Sequence, residues 1–96
     1  MSYNGWSNYE TWLCHLWLTN YEAWYKMTMY EIKELMKEIQ DEEEIIRKIS
    51  AIIENAVEEM NPLEGEASMF SDAINRFIGR IDFYEISTSL YEDAKE

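Results

Sequence analysis

Residues 42–62, EEEIIRKISAIIENAVEEMNP, decide the fold. Ile45, Ile46, Ile49, Ile52, Ile53, Ala56, Val57 and Met60 recur at three- and four-residue intervals, the spacing that collects side chains on one face of an α-helix. Asn61-Pro62 ends the stripe, because proline lacks the backbone donor and disfavours a helical residue before it. At about 1.5 Å per residue, the segment 42–60 spans roughly 28 Å, the width of a small domain. Asp41 with Glu44 has the spacing of a capping box at its start.

The same periodicity continues on both sides. Upstream, Ser7 with Glu10 has capping-box spacing, and Tyr9, Trp12, Leu13, Leu16 and Trp17 predict a first helix over about 9–19. Asn20 suits a turn or a new cap. Tyr21, Trp24, Tyr25, Thr28, Ile32, Leu35, Met36 and Ile39 then share one face of a second helix over 21–40. Downstream, Gly65 marks a loop. Phe70, Ala73, Ile74, Phe77 and Ile78 predict a fourth helix over 67–79 that ends near Gly79. Asp82 with Glu85 caps a fifth over 83–94, with Phe83, Ile86 and Leu90 inward. No run alternates as a strand does, so the expectation is an all-α bundle of about five short-to-medium helices in one domain, 1–96, without internal repeat.

A chain of 96 residues buries only roughly 60–65% of the surface its unfolded form exposes, so large side chains must supply the core. Residues 3–25 hold all four tryptophans and four of the seven tyrosines. At helical spacing such a cluster reads as core, because each ring buries about 150–250 Å². Trp6, ahead of the first cap, fits a hydrophobic staple, while Tyr3 and Trp6 could instead form an exposed edge.

Several chemistries find no support in the residues. Cys14 is the only cysteine, which excludes an internal disulfide and points to a reducing compartment. No signal-peptide pattern opens the chain, and no apolar run approaches the roughly 18 residues of a membrane span, so a cytoplasmic location is expected. His15 has Thr11, Trp12, Leu18 and Thr19 as its helical neighbours, none of them a carboxylate that could orient it. Cys14 and His15 point about 100° apart on a helix and cannot act as a local nucleophile and base. Glu31, Glu34 and Glu38 share a face, but the Glu-x-x-His partner of a di-iron bundle is missing. Neither a phosphate-binding glycine loop nor a serine nucleophile signature is present. The expectation is a protein without catalytic residues, bound metal or cofactor.

Charge is the outlier. Twenty acidic residues against eight basic ones give a net charge of −12, which disfavours direct nucleic-acid binding and favours basic protein partners. Between Glu38 and Glu66, ten acids face only Arg47 and Lys48. Negative charge at Asp41–Glu44 suits a helix N-terminus, whereas Glu58 and Glu59 fall in the last turn, where the helix dipole opposes them. Glu42, Glu43, Glu54, Glu58, Glu59, Glu64 and Glu66 are therefore the candidate partner-binding residues. Carboxylates on a rigid helix at roughly 5–6 Å intervals can imitate a phosphate backbone and occupy the basic groove of a nuclease. The plain alternative is that the charge keeps a small protein soluble.

The segment NGWSNYETWLCHLWLTNYEAWY resembles the start of a family of small uncharacterised proteins of phages, plasmids and other mobile elements, marked by N-Y-E-T-W followed by an aliphatic-aromatic helix. FSDAINRFIGRIDFYEISTSLYED resembles that family's last two helices, and Asn8, Tyr9, Glu10, Thr11 and Trp12 are the most specific part of the match. The middle of the chain matches only in being helical and charged. The resemblance implies a mobile-element setting and carries no residue roles. In that setting the expected function is counter-defence, as an anti-CRISPR or antirestriction inhibitor that binds the basic nucleic-acid-binding surface of a host defence protein without turnover. The other expectation is a small interaction or regulatory module, self-associating or working through an apolar surface such as Tyr3, Trp6 and Tyr30.

Overall fold

Ile45, Ile46, Ile49 and Ile53 of the isoleucine-rich segment are buried along the central helix of a five-helix bundle, and Ile53 is fully enclosed. The computed structural model describes residues 3–96 and consists of α1 (Tyr9–Asn20), α2 (Glu22–Glu38), α3 (Glu42–Met60), α4 (Met69–Arg80) and α5 (Phe83–Lys95). Helix α3 packs most extensively on α5, α2 lies against both, and α1 bridges α2, α4 and α5. The core joins the α3 stripe to Leu18, Trp24, Ile32, Phe83, Ile86 and Leu90. Burying one such aliphatic or aromatic side chain contributes about 1.5–3 kcal/mol. Helix α4 is peripheral: it meets α1, and only Ser71 of its residues is buried.

The helix ends depart from the sequence pattern for local reasons. Asn8, not Ser7, caps α1: its backbone is extended and its side-chain oxygen accepts the Thr11 N–H at 2.8 Å. Asn20 is the last residue of α1, and α2 starts at Glu22 after an extended Tyr21 that supplies no side-chain cap. Helix α2 gives way to an extended Ile39, and α4 begins at Met69 behind Ser68, whose hydroxyl accepts the Ser71 N–H. Gly79 is not a terminator: α4 runs on to Arg80 and stops where Ile81 becomes extended. Asp41 and Asp82 cap α3 and α5 as expected, Asp82 by accepting the Glu85 N–H that its spacing predicts and Asp41 by accepting that of Glu43 rather than Glu44.

The aromatic quarter is the larger correction. Of its four tryptophans only Trp24 is buried; Trp17 is 70% exposed, and Tyr9 and Tyr21 are exposed as well. The inward face of α1 is instead made by Thr11, Cys14 and Leu18. The helix has more large apolar residues than it has core to bury them in. Leu16, Ile52, Met60 and Phe70, inward in the sequence pattern, are likewise exposed. Ahead of α1, Tyr3 and Trp6 exchange backbone hydrogen bonds across Asn4-Gly5, both of which have positive φ. That is the geometry a two-residue type I′ turn demands, and Asn-Gly supplies it at least steric cost. Trp6 lies over His15, with ring centroids 4.4 Å apart. Tyr3, rather than Trp6, covers Trp12, the fourth helical residue, with centroids 5.0 Å apart.

Candidate functional site: a carboxylate cleft and an apolar groove

The N-Y-E-T-W stretch works as a clasp. Three of its residues reach the α4–α5 corner, 70 to 72 residues along the chain. Asn8 Nδ2 donates to the Arg80 carbonyl at 2.8 Å, Arg80 Nε pairs with the Glu10 carboxylate at 3.3 Å, and the Asp82 N–H donates to Thr11 Oγ1 at 2.8 Å. Ser7 adds a fourth tie: its N–H and hydroxyl both donate to the Glu85 carboxylate, the hydroxyl at 2.7 Å. Thr11 is fully buried, and its hydroxyl accepts the backbone N–H at the N-terminal end of α5. The same corner sets one wall of a cleft.

That cleft, about 600 Å³, opens between the C-terminal half of α3, the 61–68 loop and α4. Its floor includes Ile78, Ile81 and Phe83, and its rim carries Glu54, Glu58 and Glu64 together with Asn61 and Asn75. No lysine or arginine lines it. Glu54 and Glu58 are one helical turn apart and project on the same side of α3. Asn61, just past the helix end, folds the loop back by accepting the Leu63 N–H at 2.9 Å, and this carries Glu64 to the cleft. Gly65, with a φ of +83°, turns the chain in the left-handed region where a Cβ would strain it.

The seven candidate glutamates therefore divide. Glu54, Glu58 and Glu64 share the cleft; Glu59, about 100° round the helix from Glu58, and Glu66 are exposed outside it. Glu42 and Glu43 belong to the first turn of α3, roughly 16–24 Å away along its axis. Glu43 is paired with Arg47. Arg47 and Lys48 interrupt the acidic surface between the two groups. Among the described residues, five ion pairs engage Glu10, Glu22, Glu34, Glu43 and Glu92, and none engages Glu54, Glu58, Glu59, Glu64 or Glu66.

Sequence reasoning missed a second surface. Trp17, Leu18 and Met60 are shared by two adjoining hollows of about 190 and 500 Å³. The smaller continues over Leu13, Val57 and Phe77 to Ile81, which also lines the carboxylate cleft. The larger runs to Tyr21 and Trp24. Apolar residues on every side of the 9–20 segment were the available signal for a helix with two apolar faces.

Cys14 and His15 differ in surroundings as well as direction. Burial pushes the Cys14 thiol up to about 12, far from a reactive thiolate. Burial also lowers the His15 pKa, against a smaller opposing pull from Asp93, and His15 Nε2 has no hydrogen-bond partner. Among the described residues no group of three or more His, Cys, Asp or Glu side chains could hold a metal ion, and no helix is long and apolar enough to cross a membrane.

The arrangement defines a small all-α domain that presents an unneutralised carboxylate cleft beside an apolar groove. The chain belongs to a family of unknown function, DUF7249, whose model matches residues 1–94. No curated protein and no solved structure matches it.

Proposed function

We propose that this protein is a non-catalytic, stoichiometric binder of a basic protein surface, and that it acts in counter-defence by keeping a nuclease complex of the anti-CRISPR or antirestriction target class from engaging nucleic acid. The observation that carries the reading is the clustering of Glu54, Glu58 and Glu64 round one cleft that no lysine or arginine lines. Like charges gathered on a helix end and its loop repel one another and oppose the helix dipole, so they do not help the fold. A basic partner relieves that repulsion, and the net charge of −12 steers it in. The split acidic surface favours engagement at this end of α3 over a phosphate-like row along the whole helix. The mobile-element setting that the N-Y-E-T-W resemblance implies supplies the counter-defence context.

The test is plasmid transformation into strains that each carry one defined restriction or CRISPR system, with the protein expressed beforehand. The reading expects restored transformation in at least one strain, lost with the triple variant Glu54→Lys, Glu58→Lys, Glu64→Lys, while purified wild type blocks DNA binding by that system's effector. Equal protection by the triple variant, or none in any strain, refutes it.

A further inference from the structure

We infer that the groove between α1, α3 and α4 is a docking site for a cationic amphipathic helix of the partner. This inference rests on the binder reading above and specifies what the partner must present. The groove is lined by Leu13, Trp17, Tyr21, Val57, Met60 and Phe77, and Trp17, Tyr21 and Met60 are 70%, 65% and 57% exposed. Three large apolar side chains, each more than half exposed on one concave surface, form the kind of patch that marks an interaction site. Two aromatics and a methionine at its centre are residue types that anchor interfaces and adapt to the partner's shape.

Charge selects the occupant. The apolar groove and the cleft of Glu54, Glu58 and Glu64 adjoin, with Ile81 lining both. A helix with apolar residues at i, i+3, i+4 and i+7 fills the groove, and Lys or Arg at the end that reaches the cleft meets carboxylates without competing ion pairs. At the opposite edge, Arg80 is already held by Glu10. A second copy of this chain is a poorer occupant, because it brings another net −12 to a surface that is already acidic.

The probe is a fluorescein-labelled helical peptide of about 18 residues, long enough to hold helix, with a leucine face and lysines clustered in its last two turns. Two controls replace the lysines by glutamate or the leucines by serine. Binding is followed by anisotropy and by amide chemical shifts of the full-length protein. The inference expects saturable binding with shifts concentrated at Leu13, Trp17, Tyr21, Met60 and Phe77. Affinity falls about tenfold or more in Trp17→Ser or Tyr21→Ser, whose exposed side chains leave the fold intact by circular dichroism, and neither control peptide binds. Wild-type affinity in both variants, shifts centred on Glu42–Glu44, or a dimer in analytical ultracentrifugation that buries Trp17 overturns it. Peptide binding without protection in the transformation assay sinks the counter-defence reading alone; protection retained by Trp17→Ser but lost on reversing Glu54, Glu58 and Glu64 sinks the groove alone.

Discussion

Thr11→Val separates the two roles an N-terminal signature can have, a contact with a partner or a support for the fold. Valine keeps the β-branched shape of a fully buried side chain and removes only the hydroxyl that accepts the Asp82 N–H at 2.8 Å. The amide is left without its acceptor at the N-cap of α5, a helix that buries Phe83, Ile86 and Leu90 and packs on α3. Thr11 is buried but Asp82 is exposed, so the bond is only partly shielded from water and its loss costs about 1 kcal/mol. For a domain of this size that lowers the thermal midpoint by roughly 4–8 °C per kcal/mol. In urea, about 1 kcal/mol at a slope near 1.5 kcal/mol per molar moves the midpoint down by about 0.7 M with the slope unchanged. Tryptophan fluorescence follows the transition, and binding of the cationic peptide by the folded fraction stays at the wild-type level. A midpoint within about 0.3 M of wild type refutes the clasp.

Three further outcomes follow from the same structure. Ile53→Ala, at a fully enclosed position, destabilises by about 2–5 kcal/mol, whereas Ile52→Ala, at a neighbouring position that is 38% exposed, costs less than about 1 kcal/mol; paired urea titrations read the difference. Cys14, with its thiol raised from 9.0 to about 12, forms roughly a thousandfold less thiolate near neutral pH than an exposed cysteine, so a thiol reagent at pH 8 labels the native protein far more slowly than the urea-unfolded chain. His15 has its folded pKa lowered below 6.5, chiefly by burial, so the neutral ring's contribution to stability is complete above that pH and is lost as the pH falls through the folded value. Stability measured between pH 6.5 and 5 therefore drops in wild type and drops less in His15→Asn.

The helices were legible because each has its own period and, in two of five, the cap that its spacing predicts: Ile45, Ile46, Ile49 and Ile53 of α3 turn inward, and Asp41 and Asp82 cap their helices. The failures share a cause, which is that sequence periodicity reports an apolar face without saying what covers it. Trp17, Met60 and Phe70 match a helical stripe, yet the core against which the stripe would pack is already filled by Leu18, Ile53 and Phe83. Asn4-Gly5 carried a readable turn signal that a purely helical scheme passes over. Ser7 has the right chemistry and spacing for a cap and loses that role to a charged acceptor, Glu85, 78 positions away. Of the site, the density of acids was visible in the sequence. Its division by Arg47 and Lys48, and the arrival of Glu64 beside Glu54 and Glu58, depend on helix length and on the turn at Asn61, which composition does not encode.

The clasp and the groove explain each other. A helix of 12 residues with apolar groups on all sides gains little by presenting one face to the core, since turning it about its axis would bury other large side chains equally well. Directional bonds remove that degeneracy. Asn8, Glu10 and Thr11 tie α1 to Arg80 and Asp82, and this fixes the rotation that places Thr11, Cys14 and Leu18 inside and leaves Trp17 outward. The distinctive residues of the motif therefore specify which aromatic surface is displayed, and the surface itself follows from the residues they leave exposed. Because the clasp closes on the α4–α5 corner, and that corner carries Ile81, the same four contacts set the junction between the apolar groove and the carboxylate cleft. A partner that must meet both surfaces at once depends on that junction as much as on any residue it touches.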